Sequence, residues 1–464
     1  MAAGGQSEGS TARTIAAGMA ALSLLAVTLL AGPAALRADP APRAPGGFEG
    51  VASCAGTTCH GRMEADGAVV RQDELMRWQE PSTPGGAHSR AFTVLSYARA
   101  KQITATLGLG DPTSAPACLG CHTTPTDGRT GVRFLARDGV GCEACHGPAS
   151  GWISSHYTVG ASHAANVARG MTPLDRPATR AAVCLDCHFG SNKPGQFVTH
   201  RMMAAGHPRI SFELDLFSTL QQHHDEDADY IQRKGRTDSV RMWAVGQAMA
   251  VNRALTLYAT PKGTEGAFPE FTFFDCHSCH RRIYDAEDRT RTWESNPGRP
   301  IPAGMPPFND ENMILLAAAA RVAAPGMAGR LDSDSRAFHA ALARDRGAAV
   351  AAGGRLASTA TALASALSAT DGNGDTAFAM VDSIAGPTLA PRFTDYEGSV
   401  QGVMAIDTLL NALVKEKRIT VGAAAGIRAD INRAYAAVKE PNGYRPADFR
   451  ASLGDAVRSI RALR

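Results

Sequence analysis

Three patterns of apolar and polar positions follow one another along the chain. From Thr14 to Leu36 no residue is charged, and Arg13 and Arg37 flank the run. Its apolar stretch Met19–Leu30 stops at Gly32-Pro33 and gives way to small residues ending near Ala38. That layout predicts a secretory signal peptide over 1–38, cleaved around Ala38–Asp39. An uncleaved anchor is the alternative, because the run is long enough to span a bilayer. A Pro/Gly-rich linker occupies 39–50. From 51 to 300 the apolar positions keep no sustained period, and Gly, Pro, Ser and Thr separate short amphipathic stretches.

The third pattern begins after Trp293–Pro307, a segment with five prolines and two glycines that marks a boundary. Beyond it the chain is Ala-rich and its apolar residues recur at helical spacing. Phe308-Asn309-Asp310-Glu311 predicts a capped helix start. Val403, Ile406, Leu410, Leu413 and Val414 share one helical face, as do Ile427, Ile431, Tyr435 and Val438. Phe449, Leu453, Val457 and Ile460 repeat the stripe after Pro446 at a helix start. The expectation is a mainly α protein. It pairs a 51–300 region of little regular secondary structure with an up-and-down bundle of four to six helices over 301–464.

All ten cysteines fall in the middle region, and they explain its composition. Four motifs read C-x-x-C-H: Cys118–His122, Cys142–His146, Cys184–His188 and Cys276–His280. A fifth, Cys54–His60, is stretched to C-x-x-x-x-C-H. This is the signature of covalent c-type haem. Two thiols three residues apart lie on one face of a helical turn and reach the vinyl groups of one porphyrin. The next histidine then turns to the iron. A zinc site or a disulfide framework would leave the five adjacent histidines His60, His122, His146, His188 and His280 without a role. Five haem c groups are therefore expected, bound through Cys54, Cys59, Cys118, Cys121, Cys142, Cys145, Cys184, Cys187, Cys276 and Cys279. Porphyrins rather than aliphatic side chains then supply the core of this region. The cytochrome c maturation machinery becomes an expected partner, and export to the periplasm an expected location.

Charge changes the picture little. The formal +3 becomes +2 without residues 1–38, where Arg13 and Arg37 outnumber Glu8. Ten propionates against five ferric centres then make the holoprotein net negative. Nothing in that balance points to nucleic acid, and membrane contact is expected only through an uncleaved N-terminal segment. Asp371-Gly-Asn-Gly-Asp375 lacks the glycine and terminal glutamate of a calcium loop and reads as a turn.

Trp78-Gln-Glu-Pro-Ser82, Ala87-His88-Ser-Arg-Ala-Phe92, Gly139–Gly147 with Trp152–His156, and the Cys184 motif resemble the cytochrome c-554 type of multihaem cytochrome, over about residues 50–225. The resemblance implies a mostly helical periplasmic electron carrier with closely stacked haems. The stretched first motif, the fifth motif and the haem-free helical region depart from it, so the family's role in ammonia oxidation is not carried over.

Nine histidines remain as candidates for the sixth iron position. His88 matches the family's distal-histidine position, and His156 is favoured over His163 by its place ten residues after His146. His200 and His207 are two helical turns apart, but Gly206 and Pro208 take His207 out of the helix, so the two can serve different irons. At most one of His223 and His224 easily meets a given iron, and His224 is the expected ligand. The neighbouring Asp225-Glu-Asp227 makes a solvated patch the alternative. His277, between two haem cysteines, and His339, alone on an Ala-rich helix, read as structural. Met202 and Met203 are unnecessary as ligands. The expected function is electron transfer between redox partners, such as a quinol dehydrogenase or a terminal reductase, through mostly bis-His haems. The rival is an oxidoreductase acting on a small nitrogen or sulfur compound at one open haem.

Overall fold

Short helices that end on histidine organise the first half of the protein. The computed structural model describes residues 46–64, 71–264, 270–280, 305–390, 393 and 395–464. The expected signal peptide and most of the linker, at 1–45, lie outside the described residues. Along the chain run α1 (Glu74–Gln79), α2 (Ala98–Leu107), α3 (Pro116–His122), α4 (Cys142–His146), α5 (His163–Ala168) and α6 (Pro177–His188). Then come α7 (His200–Ala204), α8 (Leu214–Leu220), α9 (Ala228–Lys234), α10 (Ser239–Tyr258) and α11 (Pro261–Thr264). The second half holds α12 (Glu311–Ala323), α13 (Pro325–Leu342), α14 (Arg346–Ser368), α15 (Gly374–Thr388), α16 (Tyr396–Lys415), α17 (Val421–Ala437) and α18 (Pro446–Arg461). Among the described residues there is no strand. The chain is mainly α, and its only recorded β pairings there are the isolated bridges Phe48–Thr130 and Phe274–Phe308.

Side-chain caps explain where the long helices begin. Asp238, Asp345, Asn373, Asp395 and Thr420 each accept a backbone N–H from the first turn of α10, α14, α15, α16 and α17. Asp238 also accepts from Gly372 N at 2.7 Å, tying the start of α10 to the turn before α15. In the Asp371–Asp375 segment, Asn373 caps α15 and Asp375 pairs with Arg418 at 2.7 Å. Asp310 stands at the N-cap of α12 without capping it; its carboxylate lies 3.5 Å from His339 Nε2. His339 is a buried core residue whose Nδ1 meets Ser335 O at 2.8 Å.

The packing corrects two expectations. Among the described residues the second half holds seven helices rather than four to six. Nor does the core respect a boundary at 301, because residues 46–464 form one unit. Helix α10, from the cysteine-bearing region, packs on α14, α12 and α16 on one side and on α6 and α8 on the other. Trp243 and Tyr258 of α10 are fully buried in a core that extends to Ile460. Tyr258 lies edge-on to Phe273, Phe308 and Phe338, at 5.7, 5.7 and 5.9 Å between ring centres. A stripe of apolar residues cannot end at a change of composition when its partners lie beyond it.

Candidate haem sites

In three of the five motifs the cysteines and the histidine take their positions from the last turns of a helix. Helices α3, α4 and α6 end on His122, His146 and His188, with the first cysteine of each motif one turn earlier and the second directly before the histidine. Pro116 and Pro177 open α3 and α6, where a missing N–H costs nothing. Gly120, between the cysteines of α3, faces the Gly195 backbone; a Cβ there would come within 2.5 Å of it. The contact brings Cys187 beside this helix: its thiol lies 4.0 Å from the Gly120 carbonyl, and Gln196 Nε2 donates to both. Near Cys142, Gly141 packs against the side chain of Val51, three residues before Cys54. Glu143 fastens that approach of the first and third motifs: its buried carboxylate accepts from the N–H groups of Glu49, Gly50 and Ala149 at 2.7–2.8 Å.

Each motif histidine faces one further imidazole. His60 faces His156 at 6.3 Å between ring centres, and His88 faces His188 at 6.1 Å. His122 faces His207 at 6.5 Å, His146 faces His223 at 6.2 Å, and His200 faces His280 at 6.2 Å. Two imidazoles bound to one metal by bonds of about 2 Å, each ring centre about 1 Å behind its nitrogen, have centres roughly 6 Å apart. The five spacings fit an iron between each pair. Four of the rings also direct Nδ1 at a backbone carbonyl: His122 at Ala91, His156 at Ile153, His207 at Pro208 and His223 at Gln221, over 2.5–3.0 Å. Nδ1 of His60 meets Glu74 Oε2 at 3.0 Å. Such bonds fix the tautomer and leave Nε2 for the metal. Burial, followed by the charge of His88, pulls His188 down to about 4, which holds it in the neutral form that ligates iron.

Residues 53–147 match the family model of cytochrome c554 and c-prime. This stretch is cytochrome c-554-like. No curated protein and no solved structure matches the chain. The match takes in the first three motifs and His88, and it supports c-type haem attachment and electron-transfer chemistry for this stretch. The Cys184 and Cys276 motifs lie beyond it.

Beside Cys187 and His188 an open cleft is walled by Phe197, Phe273 and Phe308, with Met203, Arg209 and Glu311 also in its lining. Aromatic walls suit a porphyrin, and the Arg209 guanidinium suits a propionate. Arg209 also pairs with Glu397 and, at 3.5 Å, with Glu311.

Of the distal candidates, His88, His156, His200 and His207 each oppose a motif histidine. His224 does not: the ring opposite His146 is that of His223, and His224 stacks on Tyr230 at 5.2 Å. The chain leaves α8 through Gln221, whose carbonyl takes the His223 Nδ1 bond and turns that ring inward. His156, ten residues after His146, faces His60 instead. His163 directs Nε2 to Asp175 at 3.1 Å and is exposed. His277 directs Nδ1 to Pro441 O at 2.9 Å and lies edge-on to Tyr444. Sequence reading missed Glu74, Glu143 and Arg209, since a lone acid or arginine in a loop-rich stretch has no local pattern.

Proposed function

We propose that the protein carries five covalent haems, each between its motif histidine and a second histidine, and relays electrons among redox partners in the periplasm. The observation that carries this reading is the set of five imidazole pairs 6.1–6.5 Å apart. Each haem would supply a one-electron Fe(III)/Fe(II) couple, and with two histidines to hold it, redox change would proceed without ligand exchange. That arrangement favours a carrier over an oxidoreductase with an open iron.

Contacts between the motifs suggest the order of the relay. Val51, just before the first motif, lies against Gly141 of the third; α4 of the third packs on α6 of the fourth; and Cys187 of the fourth lies by Gly120 of the second. The sites therefore run from the first motif to the third, the fourth and the second. The fifth joins at the far end, because His207 and His200, which face the second and fifth motif histidines, flank one short helix, α7. A quinol dehydrogenase at one end and a terminal reductase at the other are the partner classes such a relay would serve.

Intact mass of the holoprotein should exceed that of the processed chain by five haem masses; a gain of four would remove the stretched motif from the relay. The reduced protein should not bind carbon monoxide. Stoichiometric binding would reveal an open iron and overturn the carrier reading.

A further inference from the structure

The five histidine pairs differ in two ways that bear on the direction of electron flow. The first is the acceptor at Nδ1. His122, His156, His207 and His223 bond to carbonyl oxygens, whereas the motif histidine His60 bonds to the carboxylate of Glu74 at 3.0 Å. Glu74 opens α1 and is largely buried, its side chain 14% exposed. Two backbone bonds fasten that helix start to the motif: Leu75 N to His60 O at 3.0 Å and Arg62 N to Gln72 O at 2.8 Å. A formal negative charge on Nδ1–H pushes electron density through the ring to Nε2 and stabilises ferric over ferrous iron. A neutral carbonyl does so less.

The second difference is ring orientation. The planes of His60 and His156 are 15° apart. His88 with His188, His122 with His207 and His146 with His223 cross at 75–88°, and His200 with His280 at 40°. Parallel imidazoles donate into the same iron d orbital and split the pair. Crossed imidazoles leave it nearly degenerate. The His60 site thus has its own ferric signature, the most rhombic of the five. It also stands at one end of the relay, with Cys59, Met63, Tyr157 and Val159 exposed around it.

We propose that Glu74 makes the haem site of His60 and His156 the most reducing of the five, so that electrons enter the relay there. The inference rests on the five-pair reading above and adds a direction to it. Glu74 acts through His60 and is a positioning and tuning residue.

The test uses the full-length holoprotein, native and Glu74→Gln, in a potentiometric titration followed by low-temperature EPR. Glutamine keeps an oxygen to accept from Nδ1 and so preserves the ring orientation, but it removes the charge. In the native protein the most rhombic signal should be the last to disappear as the potential is lowered. In Glu74→Gln it should disappear at a higher potential, with the other four signals unmoved. A most rhombic signal that vanishes early in the native protein overturns the proposal. So does a signal that stays in place in a Glu74→Gln protein still carrying five haems. If Glu74→Gln loses a haem or turns high-spin, the order of disappearance in the native protein decides alone. Mass separates the two levels: fewer than five haems in the native protein defeats the five-pair reading, whereas five haems with the wrong order defeats only the assignment of Glu74.

Discussion

Between Gln221 and Asp225 the chain leaves α8, and in that bend the ring of His223 turns toward His146 while His224 lies flat on Tyr230. One peptide unit separates a candidate iron ligand from a ring stacked on tyrosine. His223→Ala should therefore convert one low-spin haem to high-spin and open it to carbon monoxide, with the covalent haem count unchanged. His224→Ala should leave the low-spin spectrum intact. High-spin iron in His224→Ala alone would reverse the assignment. The motif residues are legible in sequence because covalent attachment fixes their spacing within one helical turn. Their opposite rings are legible only as candidates, since each pair is closed over long range, from His60 to His156 or His122 to His207. Local spacing even points the wrong way for His156, which follows His146 in the chain and faces His60 in space.

At the scale of elements, α10 decides the architecture. Its sequence from Ser239 to Tyr258 is apolar on nearly every side, as expected of a helix buried from several directions. One side receives Leu356 and Leu363 of α14 into the main core; another adds Met242 and Ala250 to a small cluster with Ala181 and Leu185 of α6. The amphipathic stripes of α16, α17 and α18 are visible in sequence and appear where expected. What the stripes cannot show is that a helix upstream of the proline-rich segment completes their core. A chain begun at residue 305 lacks α10 and should not melt cooperatively by circular dichroism, whereas one begun at 236 should. Within the intact protein, Trp243→Ala removes a fully buried side chain at the centre of that helix. It should cost about 3–5 kcal/mol of stability. A loss below about 1 kcal/mol would show that the two halves are held together elsewhere.

For the molecule as a whole, the segment Phe212–Asp215 is the strap between haem sites and helical bundle. The Phe212 ring packs at 5.0 Å on His188, while its carbonyl accepts from Gln401 of α16 at 3.0 Å. Glu213 caps α8 through the N–H groups of Asp215 and Leu216 and accepts from Thr408 of α16 at 2.7 Å. This fully buried carboxyl is pushed up to about 7, first by burial and then by the charge of Asp215, against the opposing pull of the two N–H groups. Burial also raises Asp215. Folded protein thus retains protons between 4.5 and about 7 that the unfolded chain releases, so stability should be full below 4.5 and fall as pH rises through 7. The loss should be on the order of a few kcal/mol. Glu213→Gln lowers stability at every pH, because its amide cannot accept both N–H groups. The informative quantity is therefore the slope: denaturant midpoints of the variant should change less between pH 5 and 8 than those of the native protein. Parallel slopes would mean that Glu213 is ionised throughout, its charge held by the helix start it caps. The strap between the two halves would then be insensitive to pH.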